Sequence, residues 1–138
     1  MEEFINTMNW SLLEKYSILN KTEIRDLERL ITVDPGAAIG KMRKIIESLI
    51  KTHYDAYKNA NSTVNLAQMI KELDEIKVYP RPIKTYLDTI RILGNIGAHE
   101  GGLTDQDVHI LQPMFVYTAK WLITHSLELL VQKMKKIR

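Results

Sequence analysis

Arg91, Asn95 and His99 follow one another at intervals of four residues. On an α-helix that spacing sets a cation, an amide and an imidazole along one slowly drifting stripe. A guanidinium can hold a phosphate, and an imidazole can move a proton near neutral pH. Phosphate binding coupled to proton transfer is the chemistry such a stripe offers. The same residues also suit a structural network. There Arg91 would pair with a carboxylate such as Glu47, Asn95 would bond a neighbouring backbone and His99 would tie down a helix end. Spacing alone favours the network, because structural ion pairs produce the same constellation. Arg43 lies one turn before Glu47, so it could join that network or form a simple pair along its own helix.

Glycine is concentrated here. Four of the six glycines, Gly94, Gly97, Gly101 and Gly102, fall within nine residues. A glycine inside a helix costs about 1 kcal/mol relative to alanine, so two of them suggest close approach by another backbone or a ligand. Gly94, Gly97 and Ala98 on an exposed face of helix 83–98 would let a second copy of the chain come close, and a homodimer is expected. Elsewhere the titratable residues are scattered. His53, His109 and His125 have no ligand-spaced partners and read as surface or packing histidines. With no Cys and no Glu-x-x-His pair, a zinc or di-iron site is not expected, and no cofactor is implied.

The elements that must position the stripe are helical throughout. Trp10, Leu13 and Tyr16, then Ile24, Leu27, Leu30 and Ile31, recur at three-and-four spacing from Asn9 to about Ile31. Asn20-Lys21-Thr22 interrupts that segment, with Thr22 able to cap its second piece. Asp34-Pro35 is an N-cap followed by proline at the first helical position, and opens a helix running to about Tyr57. Its stripe is Ala38, Ile39, Met42, Ile45, Ile46, Leu49 and Ile50. Asn59-Ala60-Asn61-Ser62 reads as a polar turn. A third helix spans about Val64 or Asn65 to Ile76, with Leu66, Met69, Ile70 and Leu73 inward. Tyr79-Pro80-Arg81-Pro82 breaks the chain. The fourth helix starts near Pro82, carries Ile83, Tyr86, Leu87, Ile90 and Leu93, and stops at Gly101-Gly102. Thr104-Asp105 caps the last segment, and Pro113 predicts a kink there or a short helix before a long one. The fold class is all-α, a four- to five-helix antiparallel bundle. Residues 1–33 read as a helical extension packed on a bundle formed by residues 34–138.

Composition sets the outer bounds. The chain has 138 residues, 45% of them hydrophobic and 26% charged, enough for one domain with its own core. No apolar run approaches the roughly 18 residues of a membrane span, and Glu2 and Glu3 do not suit a signal peptide. A cytoplasmic location is expected. The net charge of +2 is too small to announce nucleic-acid binding by itself. It hides a −3 over residues 1–34 and a +3 over residues 35–60. Lys133, Lys135, Lys136 and Arg138 form the sharpest basic cluster, best read as solvated charges ending a helix.

Several of these stretches together resemble a known family. They are Ala37-Ala38, Arg43-Lys44-Ile45-Ile46-Glu47-Ser48-Leu49, Leu66-x-x-Met69-Ile70-x-x-Leu73, and Ile90-Arg91-x-x-Gly94-Asn95-x-x-Ala98-His99 with its Leu103-Thr104 restart. The pattern resembles a bacterial domain-of-unknown-function family of the HEPN superfamily, found alone or appended to restriction-enzyme subunits. The resemblance implies a HEPN-like bundle, commonly dimeric, in a defence or restriction setting. Many such proteins are metal-independent ribonucleases that pair an Arg and a His across the dimer. In them the His acts on the ribose 2′-hydroxyl or the leaving oxygen, and the Arg holds the phosphate. Here Gly94 stands where that signature has its Arg, with Arg91 one turn earlier, and the gap from Asn95 to His99 is shorter. A non-catalytic interaction or accessory module docking a restriction or defence partner protein is therefore ranked first. A ribonuclease using Arg91, Asn95 and His99 is second, with Arg43 and Glu47 as network residues. An RNA- or nucleotide-binding domain without turnover is third.

Overall fold

The computed structural model describes residue 6 and residues 8–58 and 64–137. The turn expected at Asn59-Ala60-Asn61-Ser62 and the last basic residue, Arg138, lie outside them. Among the described residues there are six helices and no strand. They are α1 (Trp10–Lys15), α2 (Lys21–Val33), α3 (Pro35–Lys58), α4 (Leu66–Glu75), α5 (Arg81–His99) and α6 (Asp105–Ile137).

The first apolar segment divides at Ser17, earlier than the interruption expected at Asn20-Lys21-Thr22, and with both of its pieces helical the described helices number six, above the expected four or five. Ser17 takes a φ of 55°, in the left-handed region. Its N–H donates to the Glu14 carbonyl at 3.1 Å, and the Ile18 N–H donates to the Leu13 carbonyl at 2.8 Å. That pair of bonds closes a helix by the Schellman pattern, which usually employs glycine. Asn20, not Thr22, then caps α2, its side chain accepting from the Thr22 N–H at 2.7 Å. Lys77 ends α4 in the same way, with φ 60° and the Val78 N–H bonded to the Leu73 carbonyl at 3.0 Å.

α3 is the central element. The Asp34 side chain accepts from the Ala37 N–H at 3.1 Å, and Pro35 occupies the first helical position. All seven residues of the expected stripe, from Ala38 to Ile50, are fully buried. α3 packs against α2, α4, α5 and α6, and one continuous core joins residues of every helix. Asp34→Ala is expected to cost about 1 kcal/mol by stranding the Ala37 N–H, a loss that urea unfolding would measure.

α6 is one continuous helix of 33 residues with Pro113 inside it. Pro113 cannot donate to the carbonyl of His109, but both residues are exposed, so water can satisfy that oxygen. At its start, the Thr104 N–H donates to the Asp107 carboxylate at 2.8 Å, half of a capping box.

Candidate functional site

α5 stays helical through both of its glycines and ends at His99, followed by Gly101 and Gly102 with φ of 71° and 82°. Arg91, Asn95 and His99 therefore do share one flank of a helix. They are not joined to each other. The Arg91 Nη2 lies 3.8 Å from Asp88 Oδ1 on its own helix, and Asp88 also holds Lys84 at 2.5 Å. Glu47, expected to pair with Arg91, instead lies 3.6 Å from Arg43 Nη2. The local pairs prevail because residues three or four apart on one helix meet without any tertiary adjustment. Asn95 is half-buried and His99 exposed, and neither side chain has a hydrogen-bond partner among the described residues.

Arg43 and Arg91 keep their side chains about a quarter exposed, at 26% and 25%. Among the described residues their ion pairs engage Nη2 only, and the buried Nε of each has no partner. Gly94 brings Arg43 onto α5. A Cβ added at Gly94 would lie 2.5 Å from Arg43 Cβ, and one at Gly97 would lie 2.8 Å from the Gly36 carbonyl oxygen. Both glycines therefore serve close packing of α5 on the α3 side within one molecule. The expectation that they lie on an exposed face open to a second copy is corrected: Gly94 is buried, and only Ala98 of the three is exposed.

A second constellation was not visible in the sequence. His53 on α3 is fully buried. Its Nδ1 lies 2.9 Å from the Tyr79 hydroxyl, and its Nε2 lies 3.0 Å from the Leu122 carbonyl and 2.8 Å from Ser126 Oγ. The His125 ring stands 5.0 Å from that of His53, edge to face, and stacks on Trp121 at 5.0 Å. On the outer side the Tyr57 hydroxyl meets His125 Nε2 at 2.7 Å. Burial, with the nearby His125 charge adding to it, pushes the His53 imidazole down to about 4, although the bond to Leu122 opposes this. Burial likewise pushes the Tyr79 phenol up, with Tyr57 contributing.

Ser126, His53 and Tyr79 superficially resemble a nucleophile, a base and an orienting group. The hydrogen bonds assign other roles. The Leu122 carbonyl can only accept, so His53 Nε2 carries the proton and donates. Ser126 donates its own proton to the Leu122 carbonyl at 3.0 Å. The Tyr79 hydroxyl then donates to Nδ1, which leaves no lone pair on His53 to activate Ser126. The chain of bonds ties α3, α6 and the Tyr79 segment together. No group of three His, Cys, Asp or Glu among the described residues could hold a metal ion. No helix among them is long and apolar enough to cross a membrane.

The model of one protein family, a domain of unknown function designated DUF4145, matches residues 25–136. The chain belongs to this family. The DUF4145 region begins inside α2 and contains both constellations, the α5 flank with Arg43 and Glu47 as well as the His53 cluster. No curated protein and no solved structure matches this DUF4145 chain.

Proposed function

We propose that this DUF4145 chain is a HEPN-like interaction module that docks a partner through the outer face of α5, in a defence or restriction setting, without turning over a substrate. The observation that supports the reading is the composition of that face. Ile92 is 48% exposed, and Asn95 and His99 follow it at three-and-four spacing, their side-chain polar groups unpartnered among the described residues. An exposed aliphatic beside unsatisfied amide and imidazole groups is what an interface can cover and satisfy together. Arg91 and His99 are also eight residues apart, about 12 Å along the axis, too far to share one phosphate within a single chain.

The partner in this reading is first a second copy. Sedimentation at micromolar concentration is expected to give about twice the 16.0 kDa chain mass, and Ile92→Asp to return the monomer. A monomeric wild type would overturn the homodimer.

The unpartnered Nε atoms of Arg43 and Arg91 favour a second reading, in which the α3–α5 seam holds a phosphate and a dimer cleaves RNA without metal. Incubation with single-stranded and structured RNA in EDTA separates the two. No cleavage is expected from the wild type or from His99→Ala. Cleavage by the wild type that is lost in the folded variant would replace docking with catalysis. RNA binding that weakens steeply with salt, without cleavage, would point instead to phosphate contacts alone.

A further inference from the structure

At the opposite end of α3 from Gly36, a groove of about 700 Å³ opens between the last turns of α3, the C-terminal half of α6 and the turn after α1. Its volume is that of a small-molecule site. Ile18, Ala56, Leu129 and Leu130 supply an apolar lining, and Tyr57 a ring wall held in place by its bond to His125. Among the described residues three charged ones line it: Asp55, Lys133 and Lys136. Asp55 is already answered by Lys51 at 2.7 Å on its own helix. Lys133 and Lys136, one turn apart on α6, have no acidic partner among the described residues. The groove is therefore apolar along its lining and positive where α6 borders it.

From this pairing we infer that the groove binds a small amphipathic anion, a carboxylate on an aliphatic body. The chain would lie on Ile18, Ala56, Leu129 and Leu130, and the carboxylate would be held by Lys133 and Lys136. A second copy of the protein suits the groove poorly. A twofold contact sets a patch against itself, and among the described residues this one offers its two unpaired lysines only Asp55, already held by Lys51. The inference does not depend on the α5 face, which involves other residues.

The test is calorimetric titration with decanoate, below its micelle concentration, alongside decyltrimethylammonium of the same chain length. Saturable one-to-one binding of decanoate is expected, with the cationic probe at least about tenfold weaker. The double charge reversal K133E/K136E should invert that preference. Ala56→Trp, which fills the groove from the α3 side, should abolish decanoate binding while circular dichroism reports an intact fold. Equal affinity for both probes, or decanoate binding unchanged in Ala56→Trp, would overturn the site. So would the absence of saturable binding, or a change in oligomeric state on adding decanoate.

Discussion

Acidification from pH 7 to about pH 4 is expected to remove about 3 kcal/mol of stability through His53 alone. The imidazole is held down to about 4 in the folded chain, chiefly by burial. In the unfolded chain it titrates near its ordinary value of 6.5. Above 6.5 both states are neutral there, and the full contribution of the buried, hydrogen-bonded ring is present. As pH falls from 6.5 towards 4 the unfolded state takes up a proton that the folded state refuses. Stability therefore falls with pH across that window. Protonation in place would put a charge on Nδ1, which now accepts from Tyr79, with the His125 ring 5.0 Å away. Urea unfolding at pH 7, 5 and 4 measures the loss. Unfolded chains in general also take up protons on carboxyl groups in the lower part of that window, so the diagnostic quantity is the difference from His53→Gln. That variant should be less stable at pH 7, because it cannot reproduce the bonds to Tyr79, Leu122 and Ser126. The gap between the two proteins should then shrink by about 3 kcal/mol at pH 4. A gap that stays constant would show that His53 titrates normally and that its burial carries no such consequence.

This cluster also marks where the sequence stops being readable. Asp34-Pro35 and the stripe from Ala38 to Ile50 were legible because a cap and a 3.6-residue period are local facts. The start of α4 was legible only to Val64 or Asn65, and the structure makes Asn65 its cap, accepting from the Gln68 N–H at 2.8 Å. His53 meets Tyr79 and Ser126 across 26 and 73 residues, and no local pattern encodes those meetings. The helix end at Ser17 escaped for a different reason, as did the left-handed turn at Lys77, although the end of α4 at Ile76 was itself expected. Their left-handed conformations are taken by ordinary residues, so the usual glycine signal is missing. On the α5 flank the residue types and their common face were legible, but not the partners. Arg91 and Glu47 are each engaged by a neighbour on its own helix, and only the packing of α5 on α3 reveals that the long-range pair is not made.

Gly94→Ala and Gly97→Ala are expected to destabilise the fold, and Gly40→Ala to stabilise it. By helix propensity all three should gain up to about 1 kcal/mol. Space decides the sign. At Gly94 the new methyl would fall 2.5 Å from Arg43 Cβ and 2.7 Å from Cδ. Cβ is fixed to the α3 backbone, so a change of rotamer cannot relieve the clash and the two helices must move apart. At Gly97 the obstacle is the Gly36 carbonyl oxygen at 2.8 Å, which is backbone itself. Overpacking of this kind costs about 1–3 kcal/mol, enough to cancel or outweigh the propensity gain. Gly40 lies in the interior of α3 with nothing within 4 Å of an added Cβ, so there the gain stands. Thermal melts of the three variants should give two lower midpoints and one higher one. The comparison also bears on what the glycine cluster is for. If Gly94→Ala melts at or above the wild type, α5 does not need the close approach to Arg43. The glycine would then be better explained by a ligand that lies against it, and the unpartnered Nε atoms of Arg43 and Arg91 would become the first place to look for an anion. A lower midpoint makes the spacing of α3 and α5 the reason for glycine, and leaves the exposed side chains of α5 as the part of the helix available for recognition.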